Sequence, residues 1–285
     1  MVTTTLKKPT VGIAFTGNGF RGVANIALIE LFEEQQFKPD LIIGCGGGAV
    51  VAGLWGQGLN AEAILNCIEH SFTENMLKSL DLYGFLSFFK TPMGHYKKNH
   101  AFLKPSRMQR AYKKLFRQNK LEDLQPQTLI QTTQVDSGAG VVFEEGLLSD
   151  LVYASGAMLP FLPPIHIGEH WYTDGNFSAP VPIMELVNRG MDHIMSLSFT
   201  AQTFEDPKSF LSYYSNFVNL AFSKAQRARI ALAIELHHGE SLLLPIKIDM
   251  LTNAFDKAEI HYILEAGRQA VKAHREEILR LIGSQ

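Results

Sequence analysis

Two stretches of the sequence decide the fold: VGIAFTGNGFRG at residues 11–22 and LIIGCGGGAVVAGLWG at residues 41–56. Each begins with a short apolar run, turns at a cluster of glycines and continues into apolar residues at helical spacing. Repeated strand, turn and helix predict parallel strands in one sheet with helices on both of its faces. We therefore predict an α/β fold.

The rest of the chain continues this alternation, and we interpret residues 1–285 as a single domain with insertions. Asn60 is a typical N-cap for a helix that reaches about Phe72. Residues 74–105 interrupt the rhythm with several glycines and prolines. The other predicted elements are a hairpin of residues 129–135 and 141–145, a helix at 147–158, strands at 191–199 and 242–248, and long helices at 208–236 and 256–282.

Composition narrows the range of partners and compartments. The 285 residues are 46% hydrophobic, carry a net charge of −2 and show no stripe of Lys and Arg, so nucleic acid is not an expected partner. Two cysteines in a chain of this length indicate a reducing compartment, and no signal peptide or membrane-spanning run is apparent. We expect a cytoplasmic protein that touches membranes only peripherally, while export without a cleaved signal remains open.

The first glycine turn lies between the first strand and its helix. Gly17, Gly19 and Gly22 let the backbone turn sharply, and N–H groups at the helix start could hold an oxyanion or a phosphate. A plain tight turn is the alternative. A nucleotide site of the Rossmann type needs an acidic residue at the far end of the second strand, but Asp40 opens that strand. The nucleotide-binding interpretation is therefore the weaker one.

The second glycine turn has the spacing of a nucleophile elbow, G-x-S-x-G, which needs small residues two before and two after the nucleophile. Gly44 and Gly48 provide them, but the central residue is Gly46, which has no hydroxyl. Cys45 as an alternative nucleophile would place Ile43 at a position that requires a small residue. We interpret Cys45 as a small core thiol.

The third pattern is Asp174-Gly175-Asn176, which by itself predicts only a turn. Taken in order, the three patterns resemble the patatin-like phospholipases, a family of lipid acyl hydrolases. Residues 17–22 resemble the family's oxyanion loop, and residues 44–48 resemble its elbow. Residues 154–157, the Pro163-Pro164 pair and Asp174-Gly175 resemble the block around its catalytic aspartate. The resemblance covers roughly residues 10–60 and 150–190.

The resemblance implies a three-layer α/β/α fold and a serine–aspartate pair that needs neither a cofactor nor a metal. A serine hydroxyl at position 46 would attack an ester, and Asp174 would accept its proton. Backbone N–H groups at Gly17, Asn18 and Gly19 would hold the oxyanion. Arg21 and Gly22 would complete the loop, and Cys45 and Gly47 would flank the nucleophile.

The chain departs from the family at three positions. Asn18 and Asn176 stand where glycine, or glycine and alanine, are usual, and both keep their backbone N–H groups. Gly46 removes the nucleophile, so we predict an intact fold with an inactive site. An inactivating substitution in an enzyme is the favoured explanation because the other motifs are undamaged. A natural lipid-binding regulatory pseudoenzyme is the alternative.

A lipid substrate or membrane surface is the expected partner. Residues 74–105 could form a lid, with core packing as the alternative, and the basic run at 96–100 could meet anionic headgroups. Apolar stripes on residues 210–236 could serve a homo-oligomer or simply the core. His166 and His170 are predicted at the surface or on a strand edge, and no metal-ligand spacing is present. The apolar residues of the predicted lid are Leu80, Leu82, Tyr83, Phe85, Leu86, Phe88 and Phe89.

Overall fold

The structure, a computed structural model, describes residues 8–72, 81, 97–199, 210–248 and 257–283. These residues form one eight-stranded sheet with helices on both faces. The strands are β1 (Val11–Phe15), β2 (Leu41–Cys45), β3 (Gln127–Gln134), β4 (Gly140–Phe143), β5 (Ile165–Ile167), β6 (His170–Asp174), β7 (His193–Phe199) and β8 (Glu240–Ile246). The helices are α1 (Ile26–Glu34), α2 (Gly47–Gly56), α3 (Ala61–Ser71), α4 (Ser106–Phe116), α5 (Leu148–Gly156), α6 (Ile183–Asn188), α7 (Phe210–Leu236), α8 (Lys257–Ala273) and α9 (Arg275–Ile282).

The sheet is mostly parallel. Its strand order is β5-β6-β3-β2-β1-β7-β8, and β4 pairs with β3. The strands from β3 through β2, β1 and β7 to β8 pair in parallel, whereas β4, β5 and β6 pair antiparallel. Every residue of β1 and β2 is buried, as expected when helices cover both faces of a parallel sheet. The predicted α/β fold with a mostly parallel sheet is confirmed.

Two apolar layers flank the sheet because neighbouring residues of a strand point to opposite faces. Ile42 faces the larger layer, which includes residues of α1, α2, α3 and α8. Ile43 faces the smaller layer, where Ile183 and Leu186 of α6 and Ala233 of α7 pack. The glycine turns after β1 and β2 therefore lie at the carboxyl edge of the sheet, between these layers.

Most predicted elements agree with the structure, and the differences are local. The helical run after the first glycine turn begins as a 3-10 helix, Gly19–Asn25, and becomes α1 only at Ile26, and the long C-terminal helix is divided at His274. Asn60 caps α3 as predicted, since its side chain accepts a hydrogen bond from the Ala63 N–H. His166 and His170 are exposed on the edge hairpin β5–β6, also as predicted.

Helices α4 and α6 and the hairpin β5–β6 were not predicted. Helix α4, SRMQRAYKKLF, has a clear amphipathic pattern that the sequence analysis overlooked, because its apolar residues recur at i, i+3, i+4, i+7 and i+8 and pack against the core. Helix α6 has only six residues, and the hairpin β5–β6 consists of short strands that contain polar residues. These two elements are ordered by packing against the rest of the fold rather than by a strong local pattern.

The apolar residues of the predicted lid, between 80 and 89, lie outside the residues that the structure describes. In the adjacent basic run, Lys98 forms an ion pair with Asp136. None of the described helices has both the length and the apolar character needed to cross a bilayer.

Candidate active site

Gly46 is the single residue between β2 and α2, and it adopts a backbone conformation that side chains rarely tolerate. Its φ is 60° and its ψ is −128°, a strained region for any residue except glycine. The Gly46 N–H donates to the Ser155 hydroxyl at 3.0 Å, and that hydroxyl donates to the Gln131 carbonyl at 2.7 Å. The sharp turn predicted from the glycine spacing is present, and α5 and β3 hold it in place.

The two glycine turns pack backbone against backbone. The Gly47 N–H donates to the Gly17 carbonyl at 2.6 Å. A Cβ atom placed on Gly22 would overlap the backbone of Gly47, and one placed on Gly47 would overlap the Gly19 carbonyl. A Cβ on Gly48 would overlap the Phe15 carbonyl. These glycines are required because larger residues would separate the turns.

Strand β3 brings Asp174 to the elbow. Its residue Gln131 pairs with Cys45 at the end of β2, and the next residue, Thr132, pairs with Asp174 at the end of β6. A Cβ on Gly175 would lie 2.9 Å from the Cys45 sulfur, so the turn after β6 touches the strand that leads to the elbow. The second and third patterns of the sequence, far apart in the chain, therefore converge.

The carboxyl group of Asp174 is buried and is held by Asn176. Asp174 is only 3% exposed. Its Oδ1 accepts hydrogen bonds from the Asn176 backbone N–H at 2.8 Å and from Asn176 Nδ2 at 2.6 Å. Burial raises the pKa of Asp174 from 3.8 to about 6, although the two Asn176 hydrogen bonds act in the opposite direction. The group is therefore mainly a carboxylate at neutral pH.

The Asn176 amide fills the space into which a side chain at position 46 would project. A Cβ atom built on Gly46 would overlap Asn176 Nδ2 and would lie 2.9 Å from the Gly17 carbonyl oxygen. The same Nδ2 atom donates to Asp174. The sequence patterns predicted only that Asn176 keeps its backbone N–H. They missed the position of its side chain, which no local signal encodes.

A cleft of about 290 Å³ opens beside these residues. Asn18 and Gly19 of the first turn line it, together with Gly47 and Asp174, and the rest of its wall is largely apolar. The apolar lining includes Phe20, Val23, Val50, Ile68, Phe72 and Leu162. Tyr112 and Met108 of α4 also line the cleft, and sequence reasoning missed both because α4 itself was missed.

The first turn only partly faces the cleft. Gly17, Arg21 and Gly22 were predicted as oxyanion-loop residues but are not among the lining residues. Gly17 instead accepts the Gly47 hydrogen bond, and the Arg21 N–H donates to the Asn18 carbonyl at 3.2 Å. Burial lowers the pKa of the Arg21 guanidinium. These three residues determine the shape of the turn, whereas Asn18 and Gly19 line the cleft.

Two alternatives from the sequence can be judged on this geometry. The Cys45 thiol is fully buried and donates to the Ala179 carbonyl at 3.4 Å. Burial and the nearby Asp174 raise its pKa well above the usual value, so it is a poor nucleophile and a plausible core thiol. Asp40 accepts a hydrogen bond from the Val11 N–H at 2.8 Å, which ties together the starts of β1 and β2. Within the described ranges, no group of three His, Cys, Asp or Glu side chains could hold a metal ion.

A parallel sheet, a one-residue elbow between a buried strand and a buried helix, and a neighbouring buried aspartate define an α/β protein with a hydrolase-type site. The sequence model of the patatin-like phospholipase family matches residues 13–187. The chain belongs to this family.

Sequence relatives agree with this assignment. The chain is 24% identical over 206 residues to lysophospholipase NTE1 of Kluyveromyces lactis, a match that covers 72% of this chain and 14% of that protein. It is 24% identical over 192 residues to lysophospholipase NTE1 of Candida glabrata, covering 67% of this chain and 10% of that protein. The matched region is thus a small part of these much longer relatives.

Solved structures with a related outline include VipD from Legionella pneumophila, with a TM-score of 0.49 and 11% identity over 94% of this chain and 67% of that one. ExoU of Pseudomonas aeruginosa, in its complex with SpcU, has a TM-score of 0.42 and 13% identity over 96% of this chain and 52% of that one. Because both TM-scores are below 0.5, the family assignment rests on the family model and the sequence relatives.

Proposed function

We propose that this chain binds a single-chain acyl lipid, of the lysophospholipid class, in a patatin-like cleft and does not hydrolyse it. The observation that carries the proposal is the pairing of Gly46 with Asn176. The elbow has no nucleophile, and a side-chain amide fills the place where the nucleophile would stand.

The covalent reaction expected of this site needs an oxygen at the elbow. A serine hydroxyl at position 46 would attack the ester carbonyl while Asp174 took its proton, and backbone N–H groups at Asn18 and Gly19 would hold the oxyanion. Loss of the leaving alcohol would give an acyl-enzyme, which water would then cleave. With Gly46, no atom of the elbow can form the bond to the carbonyl carbon. Removal of such a nucleophile lowers the rate by several orders of magnitude.

The cleft supports the proposed ligand class. Its walls are largely apolar, and Asn18, Gly19 and Asp174 contribute to its lining. Ligand pockets usually measure about 300–1,000 Å³, so a cleft near the lower limit suits one acyl chain better than two. The names of the fungal relatives, lysophospholipases, point to the same class of lipid.

The Asn176 amide fits the space beside position 46 and stabilises Asp174. Because this amide can rotate, it would occupy the space both in a natural pseudoenzyme and after an inactivating substitution in an enzyme. The proposed loss of hydrolysis follows in either case.

Four forms of the chain test the proposal: the unaltered chain, Gly46→Ser, Asn176→Gly and the double variant. We expect labelling by a fluorophosphonate and hydrolysis of short acyl esters and lysophosphatidylcholine only where serine is present. The double variant should exceed Gly46→Ser by about fivefold, because displacing the Asn176 amide or distorting the serine rotamer costs about 1 kcal/mol. Asn176→Gly is the matched control, since it opens the same space without adding a nucleophile.

Binding is measured separately from turnover. The unaltered chain should bind lysophosphatidylcholine below its micellar concentration, and Val50→Trp, which fills the cleft, should abolish that binding. Adding Asp174→Asn to the double variant should remove its hydrolytic activity while the protein stays folded. The proposal fails if the unaltered chain hydrolyses lysophosphatidylcholine as fast as the double variant, or if it binds no acyl lipid.

A further inference from the structure

Helix α7 runs back along the sheet from the carboxyl end of β7 to the amino end of β8. Its C-terminal end is fixed at the amino edge of the sheet. The His237 ring contacts the Met191 carbonyl and the Ser241 hydroxyl, each at 2.8 Å. Ala233, in the last turns of α7, is buried in the smaller apolar layer. The position of the helix is therefore set from its C-terminal end.

Helix α7 is longer than the sheet is tall. Its 27 residues span about 40 Å at 1.5 Å per residue. The seven residues of β7 span only about 23 Å. The first turns of α7 therefore extend past the carboxyl edge of the sheet. Both glycine turns and the cleft lie at that same edge.

The part of α7 that extends past the sheet carries exposed apolar residues on one face. Tyr213, Phe217 and Leu220 have the i, i+4, i+7 spacing of one helix face, and they are 59%, 62% and 44% exposed. We call these three residues the carboxyl-edge surface. Met158 and Phe161, which line the cleft, are also exposed, but the cleft opens on the side of the larger apolar layer, opposite to α7. An apolar surface of this kind marks an interaction site.

The positive charge of this helix face indicates which partner it binds. The same helix face continues into the exposed Lys224 and Arg227, and the sequence from Phe210 to Ile234 contains no Asp or Glu. Aromatic residues beside cations suit the interface of an anionic bilayer, where rings enter the headgroup region and cations meet phosphates. A second copy of the chain would bring like charges together on this face.

We propose that the carboxyl-edge surface, with Lys224 and Arg227, docks this protein on an anionic phospholipid bilayer. This docking requires only the exposed residues of α7 and does not depend on the proposed function.

Vesicle sedimentation of the full chain tests the docking. Binding to phosphatidylcholine vesicles that contain phosphatidylserine should fall about tenfold or more when Tyr213→Ser and Phe217→Ser are combined, because two partly inserted rings are lost. Lys224→Gln with Arg227→Gln should lower it about 25-fold, since each cation contributes about fivefold near an anionic surface. The latter pair should have little effect on pure phosphatidylcholine vesicles.

Leu232→Ser is the matched control, because Leu232 is an exposed residue of the same helix on a different face and should leave vesicle binding unchanged. All variants should unfold at the same temperature and bind monomeric lysophosphatidylcholine like the unaltered chain. If the unaltered chain docks through α7 but does not bind lysophosphatidylcholine, the proposed function fails and the docking stands. Unchanged vesicle binding by both paired variants, or a loss of dimer mass in light scattering instead, would overturn the docking.

Discussion

Gly46 and Gly47 are neighbours in one turn, yet they are glycine for different reasons. A side chain on Gly47 would overlap the Gly19 carbonyl, which belongs to the backbone of the other glycine turn. A side chain on Gly46 would first meet the end of the Asn176 side chain, a group that can rotate away. Gly47 is thus required by the scaffold, whereas Gly46 is favoured both by its positive φ and by the neighbouring Asn176 side chain.

The same distinction divides the rest of the site. Gly22 and Gly48 are blocked by backbone atoms, like Gly47, because the two turns and β1 approach too closely for any side chain. The sequence motif alone does not distinguish one glycine of the elbow from another. The structure separates the glycines that are blocked by backbone atoms from Gly46, whose nearest neighbour is the end of a side chain.

The largest effect on stability is expected at Gly47, the glycine that the scaffold requires. Gly47→Ala should destabilise the fold by more than about 4 kcal/mol, a large part of the 5–15 kcal/mol typical of a domain, because backbone atoms would have to separate. Urea unfolding measures the loss, with Gly46→Ala as the neighbouring control that should stay folded. A Gly47→Ala protein within about 1 kcal/mol of its parent would contradict the close approach of the two turns.

A second, smaller effect concerns the carboxyl group beside Gly46. The folded pKa of Asp174, about 6, lies above its ordinary value of 3.8, so the folded state binds the proton more tightly. Stability should therefore fall as the pH rises from about 4 to about 6, and the charged form costs about 3 kcal/mol at neutral pH.

Asp174→Asn removes this charge, and its Oδ1 can still accept the two Asn176 hydrogen bonds. The variant should be more stable than its parent by up to about 3 kcal/mol at pH 8, with the difference vanishing below about pH 4. Thermal unfolding across this pH range measures it. A constant difference at all pH values would show that the buried charge is not its source.

The smallest effect on stability is expected at Gly46. Gly46→Ala should cost about 1–3 kcal/mol from backbone strain and from displacement of the amide. In the Asn176→Gly background the cost should fall by about 1 kcal/mol, the coupling expected of residues in contact. A double-mutant cycle from denaturant unfolding gives this value, and strict additivity would mean that Asn176 does not occupy the space in solution.

Local patterns predicted much of the fold. The strands β1 and β2, the two glycine turns and the cap at Asn60 were predicted correctly, since each depends on neighbouring residues. Helix α4 was missed although its apolar residues have helical spacing, so its sequence could have predicted it. Helix α6 and the hairpin β5–β6 were missed because they are short and their order comes from packing. The 3-10 helix before α1 was also missed, because it forms where the first turn meets α2 rather than from a helical pattern.

The candidate site shows a similar limit. The glycine turns and Asp174 were predicted as site residues, but their separate contributions were not. Gly17, Arg21 and Gly22 shape the first turn without lining the cleft, while Tyr112 and Met108 line the cleft without belonging to any motif. Which residues surround a cleft depends on the packing of distant helices, and sequence spacing does not record it.

The sequence by itself determined the strand–turn–helix units and the absence of a hydroxyl at position 46, because both follow from residue identity and short-range sterics. Only the tertiary structure decided that Cys45 and Asp174 lie against successive residues of β3 and that the Asn176 amide fills the space into which a side chain at position 46 would project. Those relations depend on strand register and side-chain direction between distant segments, which are fixed only when the whole sheet has formed.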